Sequence, residues 1–380
     1  MNEVIARIAG GVASFDAAEW DACAGGANPF LSHAFLSALE ESGSATSRTG
    51  WQPVPIAIDG PDGRAAAVMP AYVKSHSQGE YVFDHSWAAA FERAGGDYYP
   101  KLQIAVPFTP VPGPRLLLRD PRLAAPLIAA AEAVVLQNGL SSAHATFIAP
   151  EQVAMFEAAG WLVRIDTQFH WQNEGYASFD DFLATLSSRK RKAIRKERAS
   201  ALEGLTVQHF TGAAIEERHW DAFWHFYQDT GSRKWGHPYL TRKFFSLLGE
   251  RMADKVLLIL ALQDGEPVAG ALNLIGADTL YGRYWGTLTD RPHLHFEICY
   301  YQAIDAAIAR GLATVEAGAQ GEHKLSRGYR PVPTFSAHFI ADPRLREAIA
   351  DYLEREREAV VREIDALDGM TPFRRPQGDA

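Results

Sequence analysis

Two cysteines in 380 residues, Cys23 and Cys299, are too few for a disulfide framework or a thiolate metal site. They fit small buried hydrophobes in a reducing compartment. No run of about eighteen uncharged apolar residues occurs, so neither a spanning helix nor stable membrane insertion is expected. Met1 to Phe15 has no basic start followed by an apolar stretch, so a signal peptide is not expected and the protein reads as cytoplasmic. Positive charge is in the minority: 37 Lys and Arg stand against 46 Asp and Glu, a formal net charge of −9. A protein that simply coats nucleic acid would be basic overall. Gly-x-Ser-x-Gly elbows, Walker loops and Cys–His nucleophile patterns are also missing, which removes serine hydrolases and nucleoside triphosphatases.

What is present is an ordinary globular composition, 47% hydrophobic and 22% charged, at a length that suits two domains of about 150 to 200 residues each. The boundary is expected near 165, giving domains 1–165 and 166–380. In the first half, Val4 to Ile8 reads as a strand and Phe15 to Cys23 as a helix. Asn28-Pro29 introduces a longer helix through Leu39. Val54 to Ile58, a turn at Gly60 to Gly63, and an apolar strand from Ala65 to Val73 predict a hairpin. Tyr81 to Pro114, rich in aromatics, Gly and Pro, reads as irregular structure covering a cleft. Beyond it come a strand at Arg115 to Leu118, a helix over Leu123 to Asn138 stopped by Gly139, and a strand at Ala143 to Ile148. A helix over Pro150 to Ala159 stopped by Gly160 follows, then a strand from Trp161.

The second half repeats that order. Val256 to Leu262 and Val268 to Ile275 flank the turn Gln263-Asp264-Gly265-Glu266, and Thr279 to Trp285 is the next strand. Phe296 to Arg310 reads as a helix stopped by Gly311, Ala313 to Glu316 as a strand, His323 to Arg327 as a short helix, and Thr334 to Ile340 as the closing strand. Gly139-Leu140 and Gly311-Leu312 lie 172 residues apart, and Gly160-Trp161 and Gly328-Tyr329 lie 168 apart. The hairpin turns Asp62-Gly63 and Asp264-Gly265 are 202 apart, so the first half carries about thirty extra residues, which Tyr81 to Pro114 could supply.

This repeated unit resembles the GNAT acyltransferase fold, and two in tandem resemble the FemAB-like family of peptidoglycan-related proteins. Tyr98-Tyr99-Pro100-Lys101-Leu102, Pro107-Phe108-Thr109-Pro110, Ser188-Arg189-Lys190-Arg191-Lys192, His295-Phe296-Glu297, Glu316 to Lys324 and Arg327-Gly328-Tyr329 carry the resemblance. It implies an α+β, three-layer chain of two tandem GNAT domains. The implied activity moves an aminoacyl or acyl group onto an amine, without metal or covalent enzyme intermediate. The acceptor would be a small-molecule or peptide amine, a cell-wall precursor among them, and the donor an aminoacyl-tRNA.

Three clusters stand out as candidate chemistry. The segment 179–202 predicts an amphipathic helix with seven basic residues between Arg189 and Arg198, and Arg189, Lys192 and Lys196 suit phosphate oxygens of tRNA or a nucleotide-linked precursor. A solvated or internally paired helix face is the alternative. Glu316 ends a predicted central strand, Ala317 to Gly321 is a small-residue loop, and Glu322, His323, Lys324 and Arg327 follow. Amine acylation needs a proton acceptor, for which Glu316 or His323 is the candidate, and oxyanion donors, for which Lys324 or loop amides serve. Gln320 and Arg327 are expected to bind substrate. His293-Leu294-His295-Phe296-Glu297 is not a helical zinc spacing, so no metal is expected, and His295 and Glu297 are read as lining the site or capping a helix. Among the aromatic segments, Asp84, His85 and Tyr284 are the polar residues that would wall a substrate groove.

Gly286 to His293 lacks the glycine-rich turn that holds a CoA pyrophosphate in CoA-dependent GNAT enzymes, so acyl-CoA is the less favoured donor. A CoA-dependent N-acetyltransferase and a non-catalytic module holding RNA or a phosphorylated ligand remain the alternatives. The oligomeric state is open.

Overall fold

The computed structural model describes residues 5–235, 238–318 and 321–374, with main chain only at 232–235 and 322. The chain divides into two compact units. One takes Met1–Asp166, Tyr239–Phe244 and Pro333–Arg362, the other Thr167–Pro238, Phe245–Val332 and Glu363–Ala380. Each unit is therefore completed by segments from elsewhere in the sequence. Among the described residues no helix is long and apolar enough to cross a membrane.

In the first unit the expected hairpin forms from Ile56–Asp59 and Ala65–Met69. The apolar run does not continue as one strand. Pro70 has no N–H for the ladder, and Ala71–Lys74 begins a new strand in a second sheet. There Ala71–Lys74 lies between Trp51–Pro53 and Lys101–Ile104, and Lys101–Ile104 runs parallel to Ser142–Ile148. The helix Ala124–Gln137 lays Leu127, Ile128, Ala131 and Val135 into a core with Ile58, Met69, Leu102 and Ala145. Three expectations need correction. Tyr81 to Pro114 is not all irregular: it holds the helix His85–Arg93 and the strand Lys101–Ile104. The helix expected from Asn28 starts instead after Ser32, whose hydroxyl accepts from the Phe35 N–H at 3.2 Å. The strand expected at Arg115 to Leu118 shrinks to Leu117–Leu118, because Arg115 turns inward. A helix over Pro343–Asp368, for which the sequence pattern gave no expectation, sets Leu345, Ile349 and Leu353 against Trp87 and Tyr98.

In the second unit Thr206–Phe210, Val256–Gln263, Glu266–Ile275 and Thr279–Thr287 form an antiparallel run. Thr279–Thr287 then pairs in parallel with Thr314–Glu316. Core residues Leu257, Ile259, Ala271, Leu280 and Val315 of these strands meet Ile298, Tyr301 and Ile304. The helix expected over Phe296 to Arg310 is composite: one α turn at Leu294–Phe296, a π turn at Glu297–Tyr301, and α-helix again at Gln302–Ala309. The amphipathic segment near 179–202 is likewise two helices, Phe179–Thr185 and Ser188–Ala201, broken where Leu186 is buried and Ser187 turns extended.

The two units share one device. Leu102 to Ile104 pair in parallel with Ala143 to Ala145, and Thr279 to Tyr281 pair in parallel with Thr314 to Glu316. In both, the parallel pairing covers three residues. The link into the first of these strands is residues 75–100 in one unit and 276–278 in the other, 26 residues against 3 and so 23 longer. That difference supplies most, not all, of the larger offset between the hairpin turns.

Candidate functional site

Parallel pairing of Thr279–Thr287 with Thr314–Glu316 ends at Glu316, the last residue of its strand. Just past the last paired position, the ladder of the neighbouring strand shifts: Asn273 faces Gly282 and Leu272 faces Tyr284, leaving Arg283 as the extra residue of a β-bulge. A bulge takes one residue out of the ladder and re-aims its side chain. Here the Arg283 side chain turns inward, 2% exposed, and its Nη2 donates to Glu316 Oε2 at 2.6 Å. Gly282 permits this closeness, since a Cβ there would sit 3.2 Å from Asn273 Oδ1 and 3.4 Å from the Glu316 carbonyl.

His170 is the cross-strand partner of Glu316, with Nε2 3.9 Å from Glu316 Oε1. Burial lowers the His170 imidazole below its ordinary range, and Arg283 and Lys324 push the same way against Glu316. It is neutral at pH 7. Lys324 follows the loop that leaves Glu316. It is 1% exposed, and its Nζ donates to the Gly318 carbonyl at 2.8 Å. Its other two N–H bonds meet no partner among the described residues. Burial, then the field of Arg283, pushes its ammonium down to about 7. Glu316, Arg283, His170 and Lys324 thus form one group: a carboxylate fixed by a guanidinium, a neutral imidazole, and an amine poised between its two protonation states.

The structure places the other sequence candidates as follows. His323 is exposed and its Nε2 shares a hydrogen bond with Tyr300 OH at 2.9 Å, in an aromatic group with His295 and Phe296. His295 also lines a cavity of ≈330 Å³ with Trp285, Arg291, His293 and Phe296. Tyr284 packs its ring 5.7 Å from that of Tyr227. Gln320 and the side chain of Glu322 lie outside the described residues.

Four expectations change. Arg327 does not face a substrate. It is a clamp, donating to Glu197 at 3.0 Å and to the His323 carbonyl at 2.7 Å, with its guanidinium 3.4 Å from the Phe296 ring centroid. Glu297 neither lines the site nor caps a helix; it is fully buried and takes both forks of Arg198 at 3.0 and 3.1 Å. Asp84 belongs to the first unit and is buried under Lys101, whose Nζ reaches Asp84 Oδ2 at 2.5 Å and Glu80 Oε2 at 2.7 Å. His85 is exposed at the start of the helix His85–Arg93. Sequence reasoning missed Arg283 and His170, because the bulge and the cross-strand register that aim them leave no local pattern.

The basic helix Ser188–Ala201 sorts its charges. Arg191, Arg195 and Arg198 turn to protein partners: the Ala184 carbonyl, Asp180, and Glu297 with Asp305. Arg189, Lys192 and Lys196 are exposed at helical spacing and meet no partner among the described residues. Four consecutive cations, Arg189 to Lys192, fill the first turns, where the helix dipole is positive and favours anions. That arrangement works against helix stability and suits a bound anion.

In the first unit the matching ladder end is filled. Arg115 is fully buried, and its guanidinium donates to the carbonyls of Thr146, Val111, Gly113 and Pro114 at 2.6–3.2 Å. Gly113 N donates to the Phe147 carbonyl at 3.0 Å. Among the described residues no cluster of three His, Cys, Asp or Glu side chains could hold a metal.

The chain is similar in fold to the crystal structure of FemX, at 12% identity with 82% of this chain and 93% of that chain covered and a TM-score of 0.51. It is also similar to a conserved protein of unknown function from Bacteroides thetaiotaomicron VPI-5482, at 14% identity, 88% and 100% coverage and a TM-score of 0.53. A tandem GNAT protein from the clavulanic acid biosynthesis pathway aligns at 10% identity, 90% and 99% coverage and a TM-score of 0.48. At 12% and 14% identity the likeness to FemX and to the Bacteroides protein is one of fold alone. No curated protein matches the sequence. The family model FemAB_like, described as peptidoglycan biosynthesis/recognition, matches residues 11–375.

Proposed function

Because the chain belongs to the FemAB-like family, we propose that its second unit transfers an aminoacyl group from a tRNA-borne ester to the amine of a peptidoglycan-precursor acceptor. The observation that carries this reading is the group at the end of the strand Thr314–Glu316: Glu316 fixed by Arg283, with Lys324 and neutral His170 in the same field.

Amide formation asks little else of a protein. The acceptor arrives as a neutral amine, its ammonium proton already lost to water, and Glu316 takes the further N–H proton that nitrogen sheds as the new bond forms. The nitrogen attacks the ester carbonyl, and Lys324 donates to the oxygen that becomes negative. The carbon–oxygen bond to the ribose then breaks, and the proton held by Glu316 goes to the departing hydroxyl. The exposed stripe of Arg189, Lys192 and Lys196 supports a polyanionic donor. Acyl-CoA fits less well. The helix that would receive its pyrophosphate opens with a single α turn and a π turn, and Arg291 beside it donates to the Glu203 carbonyl.

The test is transfer of a labelled acyl group to an amine-bearing peptidoglycan precursor, with aminoacyl-tRNA and acetyl-CoA supplied in separate reactions. Product from aminoacyl-tRNA alone is the expected result. Product only from acetyl-CoA would replace the donor, and donor binding without product from either would favour the non-catalytic module.

A further inference from the structure

We propose that Glu197 is a positioning residue for Lys324, acting through Arg327; the inference rests on the reading of Lys324 given above. Lys324 sits in the middle of the turn Glu322–Arg327, six residues of 3₁₀ helix. Such helices have poor hydrogen-bond geometry and seldom exceed three or four residues, so a turn this long needs an outside support. At its ends Lys324 N donates to the Gly321 carbonyl, Gly328 N to the Leu325 and Lys324 carbonyls, and Tyr329 N to the Lys324 carbonyl.

The support comes from the basic helix. Glu197 Oε2 accepts from Arg327 Nη2 at 3.0 Å and from the Tyr301 hydroxyl. The other fork of Arg327 holds the carbonyl of His323, the residue before Lys324, at 2.7 Å. One guanidinium therefore ties the start of the turn to a carboxylate on another helix, while Phe296 covers its face. The Arg327 side chain is 7% exposed. Without Glu197 it would be a buried cation lacking its anion, an arrangement costly enough to drive the side chain out. The His323 carbonyl would be released with it, and water would reach the Lys324 amine.

The neighbouring residue of the helix repeats the pattern: Arg198 anchors Glu297 of the π turn and Asp305. The face opposite the anion-seeking stripe is thus the face that holds the site turn in place. Loss of the Glu197 charge by itself could only lower the Lys324 midpoint, whereas water reaching the amine raises it. A rise at Lys324 in a Glu197 variant therefore reports position.

The experiment needs no substrate. The pH dependence of Lys324 acetylation by trace acetic anhydride is followed by peptide mass spectrometry in wild type, Glu197→Gln, Arg327→Lys and Tyr301→Phe. Folding is checked by circular dichroism. The expected result is a midpoint of about 7 in wild type and Tyr301→Phe. It rises by at least about one pH unit, toward an ordinary lysine, in Glu197→Gln and Arg327→Lys. A midpoint that stays put in folded Glu197→Gln overturns the proposal. If Glu197→Gln does not fold, Arg327→Lys decides in its place, since it keeps the charge and loses the fork. Transfer assays judge the acyltransferase reading separately: activity retained by Lys324→Met would end that reading whatever the acetylation midpoints show.

Discussion

Lys324 combines what a folded protein avoids, a buried amine with one partner among the described residues, with what an oxyanion donor needs. Unfolded, it titrates at the ordinary 10.5; folded, at about 7. Between those values the unfolded state binds more protons, so stability grows as pH rises from 7 toward 10.5, and the burden is full below 7. Lys324→Met should therefore be more stable than wild type at pH 6, by about 2 kcal/mol in urea unfolding, while acyl transfer falls about 100-fold. An unchanged midpoint together with unchanged turnover would refute both halves. The same residue sets a pH limb. As pH passes through about 7 Lys324 loses its charge, and wild-type kcat should decline on the alkaline side. In Lys324→Arg that decline should vanish, because arginine keeps its proton.

At the scale of elements, the basic helix and the insertion make opposite predictions about charge. Replacing Arg189, Lys192 and Lys196 by Ala removes three exposed cations, one of them in the first turn where the helix dipole disfavours it, so thermal stability should hold or rise. The slope of log affinity for aminoacyl-tRNA against log salt should flatten by about two to three. An unchanged slope would put the phosphates elsewhere. In the insertion 75–100, by contrast, the charges are internal. Burial alone would raise the Asp84 carboxyl, and Lys101 then His144 hold it below the usual carboxylate range. Lys101→Met would leave Glu80 and Asp84 buried without that cation and should cost about 3–5 kcal/mol in chemical unfolding.

These elements also show what was legible in the chain. Hairpins and Gly-stopped helices were readable because turn chemistry is local: Asp62-Gly63, Gly139 and Gly311 each supply the positive φ their turn demands. The strand Lys101–Ile104 was not, because its buried Lys101 and Gln103 mimic a surface pattern until their partners, Glu80, Asp84 and Thr146, are seen. In the site, Glu316 and Lys324 could be picked from their motif. The protein partners of Arg327 and Glu297, namely Glu197 and Arg198, were not legible, because they lie 130 and 99 residues away.

For the molecule as a whole, the two units end their short parallel ladders differently. Glu316, Arg283, His170 and Lys324 gather at one ladder end; Arg115 and four backbone carbonyls fill the other. The proposed function therefore lays catalysis on the second unit. The most direct test is single-turnover transfer from aminoacyl-tRNA, comparing wild type with Lys324→Met and Arg115→Met at a temperature where all three are folded. Loss of about 100-fold in Lys324→Met with a wild-type rate in Arg115→Met is the predicted result. A wild-type rate in Lys324→Met, or a loss confined to Arg115→Met, would contradict it.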